Sequence, residues 1–214
     1  MNMELTMSRK MLSVRATVSV LALVLAMMLG AEQSAYAGQA TEAIKGTIDE
    51  VIRSLQDKEL KKPERHDERR KLLEKIIGER FSYDEMAKRT LAAQWTKLSD
   101  SERQEFVELF KGLLSRTYAE KIESYQGEPI QYVNERLQDG YAEVRTKVIQ
   151  GKAEIPLDYR MLNRGGAWQV YDVVVDGVSL VNNYRGQFAK IIQSSGYPDL
   201  VERLRKKSDK IAAP

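Results

Sequence analysis

The sequence predicts an α+β protein in which a helical half is followed by a curved antiparallel sheet and closing helices. Two observations carry this. Apolar residues recur at helical spacing as far as Gly127 and Pro129, and from residue 130 the period drops to two. Short turn signals, QDG at 138–140, QGK at 150–152 and NRGG at 163–166, then separate four strand candidates: IQYVNERL, YAEVRTKVIQ, AEIPLDYRML and WQVYDVVVDG.

In chain order, the first segment reads as an export signal. Arg9, Lys10 and Arg15 precede the apolar run VSVLALVLAMMLG, and Ala35 and Ala37 flank Tyr36 in a small-residue site, so cleavage is expected between Ala37 and Gly38. A retained membrane anchor is the competing reading, but the run is short for a span. The expected organisation is a signal peptide over 1–37 and one mixed domain over 38–214, mainly helical over 38–95, with a helix, the sheet and closing helices over 96–210. The mature product is expected to be exported. The chain contains no cysteine, so its stability must come from an ordinary core although export would permit disulfides.

Four helical segments follow. Ile44, Ile48, Val51, Ile52 and Leu55 form one stripe opposite Lys45, Asp49, Glu50 and Arg53. A charge run of mixed sign after Pro63 leads into Leu72, Leu73, Ile76 and Ile77, and reads as a solvated face. Ser82 is placed to cap the next helix. Ser99 with Glu102 forms a capping box for another, whose Phe106, Leu109, Phe110, Leu113 and Leu114 make a wide apolar face.

The sheet follows by alternation. Ala142, Val144 and Val148 share a face if the strand slips at Thr146. Ile155, Leu157, Tyr159 and Met161 share one in the next strand, and Tyr171, Val173 and Val175 in the last. Gly177 reads as a bulge rather than a hairpin, because the residues after it become helical. An Asn-capped helix carrying Tyr184, Phe188, Ile191 and Ile192, a Gly196 stop and a last helix with Pro198 in its first turn complete the chain.

The same residues exclude several functions. Of the formal charge of +3, Arg9, Lys10 and Arg15 against Glu4 and Glu32 account for +1, leaving +2 beyond residue 37. That is too balanced for a nucleic-acid binder. His66 is the only histidine, so zinc sites and histidine-based triads lack their ligands. Trp95 and Trp168 read as packing anchors.

The stretch FSYDEMAKRTLAAQWTKLSDSERQEFVELFKGLLSRTYAEKIESY, with WQVYDVVVDGVSLVNNYRGQF and a Gly-led terminal helix, resembles the MlaC family, periplasmic phospholipid-binding components of a lipid-transport ABC system. The resemblance spans residues 40 to 207. It implies an NTF2-like curved sheet with a helical subdomain enclosing an apolar cavity, and a glycerophospholipid as cargo with no cofactor, metal or enzymatic activity. It also implies partners: an inner-membrane MCE-domain ABC transporter complex and an outer-membrane lipoprotein-porin complex. On this reading the lipid-binding wall comprises Phe106, Leu109, Phe110, Leu113, Val144, Val148, Ile155, Leu157, Tyr159, Tyr171, Val173, Val175, Val178, Leu180, Tyr184 and Phe188. Arg185 is the head-group candidate, with pairing to Asp172 or Asp176 as its structural alternative. Two other classes stay open: an NTF2-like enzyme using Asp172 with Tyr159 or Tyr171, and an adaptor that binds only proteins, with a filled core.

Overall fold

The computed structural model describes residues 38–209. The expected signal peptide lies outside them. Residues 39–209 belong to one compact unit.

Helix α1 (Gln39–Gln56) is followed by a 3-10 turn at Pro63–Arg65, α2 (His66–Arg80), α3 (Tyr83–Leu91), a second 3-10 segment at Ala92–Lys97, and α4 (Asp100–Glu123). The capping box starts α4: the Glu102 amide donates to Ser99 Oγ, and the Ser99 amide donates to Glu102 Oε2 at 2.8 Å. Ser82 does occupy the N-cap of α3, but its hydroxyl donates to Asp84 at 2.7 Å instead of receiving a helix amide.

Strands β1 (Ile130–Gln138), β2 (Tyr141–Gln150), β3 (Ala153–Arg164), β4 (Ala167–Val175) and the short β5 (Val178–Ser179) form an antiparallel open curved sheet in sequential order. Every connection is a two-residue hairpin, so register and topology are set locally. Asp176 and Gly177 are one such loop. Both have positive φ, 50° and 78°, and they pair Val175 with Val178, so the expected bulge at Gly177 is a hairpin and a fifth strand follows it.

The bulges lie elsewhere. One shifts the β1 register between Tyr132 and Asn134; another inserts Tyr171 in β4, where Arg160 faces Asp172 and Met161 faces Val170. The inserted residue resets the alternation, so Val170 and Val173 stand on one face with Tyr159 and Met161. Thr146 needs no slip. It continues the buried face of β2, with its hydroxyl donating to the Leu157 carbonyl.

Two cores result. Ala40 and Ile44 of α1 cover Ala142, Val144, Tyr159, Met161, Trp168, Val170 and Val173 of the sheet. Helices α3, α4 and the closing helix α5 (Leu180–Asp209) bury Met86, Leu91, Phe106, Phe110, Leu113, Tyr184, Phe188 and Leu200 among themselves. Phe81 packs against both and forms a parallel bridge to Val170.

The closing helix begins before the two asparagines expected to cap it. Ser179 is its cap: the Asn182 amide donates to Ser179 Oγ at 3.0 Å, and that hydroxyl donates to buried Asp172 at 2.6 Å. Asp172 Oδ1 also accepts the Val181 amide at 3.0 Å. A sharp kink at Gly196 (φ 83°, ψ 166°) divides the helix, and Pro198 falls in the first turn beyond it.

Candidate functional site: an apolar cavity between helices and sheet

The amphipathic stripe of α1 does more than cover the sheet. Farther along it, Ile48, Val51, Ile52 and Leu55 form one wall of a cavity of about 350 Å³. Leu73 and Ile77 of α2 form a second wall; Leu114, Tyr118, Ala119 and Ile122 of α4 form a third. The sheet supplies the floor, from Ile130, Val148, Leu157, Tyr159, Val173 and Val175. The volume lies within the range of small-molecule sites, and the lining has their predominantly apolar character.

Its phenols are neutral at physiological pH. Burial pushes Tyr159 well above the ordinary phenol range. Burial, then the nearby Glu74 carboxylate, raises Tyr83 to about 12. Burial, followed by the interaction with Tyr184, does the same for Tyr118, also to about 12.

Charged side chains are confined to the α2 and α4 walls, where Arg70, Glu74, Lys121 and Glu123 contribute to the lining. Glu74 accepts from Ser115 Oγ and, at 3.4 Å, from Arg70 Nε. Glu123 is paired with Arg69 at 2.9 Å and faces His66 Nε2 at 3.2 Å. Among the described residues no group of His, Cys, Asp and Glu could hold a metal ion. The cavity can therefore solvate a hydrocarbon and hold one polar group at its charged side.

The structure divides the expected wall. Val148, Leu157, Tyr159, Val173 and Val175 line the cavity. Val144 faces the same way but is fully buried in the α1–sheet core, and Leu180 packs at that core's margin. Ile155, on the β2-paired part of β3, is half-buried outside the lining. Phe106, Leu109, Phe110, Leu113, Tyr184 and Phe188 belong to the core of α3, α4 and α5, where Phe106 and Phe110 stack and each meets Phe188 edge to face. That cluster is a filled core because α5 folds back onto the wide face of α4. Val178 is exposed next to the β4–β5 hairpin. Tyr171, displaced by the bulge, lies beneath the Arg89 guanidinium at 4.1 Å and edge-on to Tyr141.

Arg185 is also placed away from the cavity lining. Its Nε donates to the Arg89 carbonyl at 2.8 Å, tying α5 to α3, and Asp172 pairs with Arg160 at 3.1 Å instead. Both oxygens of Asp172 thus serve Ser179, Val181 and Arg160, and alternation points it away from Tyr159. The carboxylate needed by the enzyme reading is spent on a helix cap. The sequence reading missed all three helical walls: Ile48, Val51, Ile52 and Leu55 of α1, Leu73 and Ile77 of α2, and Tyr118, Ala119 and Ile122 of α4. The signal was present in the α4 spacing 114, 118, 122, one stripe beside the stripe that was read.

Comparison with known proteins agrees with this geometry. The MlaC protein family model matches residues 45–206. Among curated relatives, the chain is 24% identical over 124 residues to the intermembrane phospholipid transport system binding protein MlaC of Haemophilus influenzae. It is 29% identical over 127 residues to the toluene tolerance protein ttg2D of Pseudomonas putida. These alignments cover 55% and 58% of this chain and 58% and 59% of the relatives, so the chain spans less than two thirds of their length. A phospholipid-binding protein from Ralstonia solanacearum, solved in complex with a phospholipid, superimposes with a TM-score of 0.71 at 25% identity. That match covers 81% of this chain and 98% of the solved one. The chain belongs to the MlaC family.

Proposed function

We propose that this protein is a periplasmic phospholipid carrier. It holds the acyl tails in the cavity between α1, α2, α4 and the sheet, and moves lipid between an outer-membrane lipoprotein-porin complex and an inner-membrane MCE-domain ABC transporter complex. The observation that carries the reading is the cavity itself, an apolar space walled by Ile48, Val51, Ile52, Tyr118 and Ile122 over Val173 and Val175. Family membership and the phospholipid bound by the Ralstonia relative support it.

The energetics require such a container. Each methylene kept from water contributes about 0.8 kcal/mol, so two tails of about thirty methylenes together oppose aqueous transit by roughly 24 kcal/mol. A carrier needs a dry cavity and no nucleophile. The test is gentle purification from a bacterial periplasm, followed by native mass spectrometry and organic extraction. Phospholipid should co-purify, and exchange with added lipids should vary by less than about tenfold among head groups while weakening when a tail is removed. Protein that emerges free of lipid and takes none up from vesicles would overturn the carrier reading.

A further inference from the structure

The polar side of the cavity carries two cations and two carboxylates, and they are not equally engaged. Helices α2 and α4 run antiparallel there, as two cross-links show: Ser115 to Glu74, and Glu123 to Arg69 and His66. Arg70 and Lys121 fall between these cross-links in sequence, on helices facing one another, and both contribute to the lining. The two carboxylates on this wall are already engaged. Glu74 is held by Ser115 and Arg70, and Glu123 by Arg69 and His66.

The cations are not similarly satisfied. Arg70 reaches Glu74 only through Nε at 3.4 Å, near the outer limit of a hydrogen bond, and its two terminal nitrogens take no partner among the described residues. Exposed Lys121 forms no ion pair among them. The Arg70 terminal nitrogens and the Lys121 ammonium therefore remain available at the edge of an otherwise hydrocarbon-like space. A planar guanidinium and an ammonium lining the same cavity suit a tetrahedral oxyanion, through charge-assisted hydrogen bonds.

We propose that Arg70 and Lys121 form a subsite for the phosphodiester of the bound lipid, the group common to all glycerophospholipids. This rests on the carrier reading and refines it: the cavity selects tails, and the α2–α4 wall selects phosphate over its absence. Because the variable part of the head group lies beyond the phosphodiester, the subsite is compatible with tolerance among head groups.

The experiment loads delipidated protein from vesicles containing equal amounts of dioleoyl phosphatidylcholine and dioleoylglycerol, which share tails and differ at the phosphate. The wild-type protein should favour the phospholipid by roughly tenfold or more, as two charge-assisted contacts imply. The double variant Arg70→Gln, Lys121→Gln should fall toward parity in the ratio of phospholipid to dioleoylglycerol loaded. Lys121→Gln alone alters an exposed side chain outside any ion pair, so it should fold normally and lose part of the preference, and Lys121→Arg should retain it. A preference that survives in the folded double variant, or is absent from the wild type, overturns the subsite while leaving the carrier intact. Failure of the wild type to load either lipid removes the carrier reading and the subsite together.

Discussion

Asp172 shows how one residue can look catalytic in a sequence and be structural in the fold. It is 2% exposed and collects the Ser179 hydroxyl, the Val181 amide and the Arg160 guanidinium. Removing it strands the Ser179 hydroxyl and the Val181 amide at the start of α5 and leaves Arg160 of β3 with only Glu143 as an ion-pair partner among the described residues. Replacement by alanine should destabilise delipidated protein by about 2 to 4 kcal/mol in chemical denaturation, the sum expected for a lost cap and a lost charged acceptor. The lipid content of the folded fraction should not change. A loss under about 0.5 kcal/mol would show that other groups cap the helix. Residues near this position were the hardest to place from sequence. Alternation put Tyr171 with Val173 and Val175, but a β-bulge adds one residue without a compositional mark, and the face of every residue before it is reversed. Past the bulge, Val173 and Val175 were placed on the cavity side, where they lie. Arg185 was misplaced because its partner, the Arg89 carbonyl, is a backbone group 96 residues away that no spacing argument reaches.

At the scale of elements, periodicity was informative about existence and less so about what each face covers. The α1 stripe, the capping box of α4 and the strand segments were all legible, because each depends on residues within one or two turns. The wide apolar face of α4 was also legible but wrongly allocated. It is two adjacent stripes, Phe106 and Phe110 against α5 and Leu114, Tyr118 and Ile122 toward the cavity. Which stripe meets which layer depends on how α5 packs on α4, through Tyr184 and Phe188 ahead of a break and Leu200 beyond it; the break is at Gly196. Its φ and ψ lie in a region that L residues populate only at a cost of about 1 to 3 kcal/mol. Gly196→Ala should therefore lower the unfolding free energy by about that amount, and a neutral result would mean that the kink relaxes into a continuous helix. Pro198, whose Cδ lies 3.6 Å from where the added Cβ would stand, opposes that relaxation.

The molecule as a whole is a container built without disulfides, so its integrity should follow the protonation of its buried phenols. Burial is the leading cause that raises Tyr83, Tyr118, Tyr132 and Tyr197 to about 12, and it raises Tyr159 further. The unfolded chain ionises these groups near pH 10. Between about pH 10 and 12 the unfolded state therefore binds fewer protons than the folded one, and stability falls as pH rises. The unfolding midpoint should stay level from about pH 7 to 9 and decline above about 10, with phenolate absorbance rising as structure is lost. Ionisation of the Tyr159 phenol near pH 10 in folded protein, followed by NMR, would contradict its burial.

The central claim is that the space over Val173 and Val175 is a cavity for hydrocarbon. Val175 is half-buried on its floor, paired with Leu157 and Val178 in the sheet. The direct test is Val175→Trp, read by native mass spectrometry for bound phospholipid and by chemical denaturation of the delipidated protein. A cavity accepts the larger ring, so the variant should unfold within about 1 kcal/mol of the wild type and retain severalfold less phospholipid. A loss of stability above about 2 kcal/mol with lipid content unchanged would mean that the strand faces a filled core and that the lipid is held elsewhere.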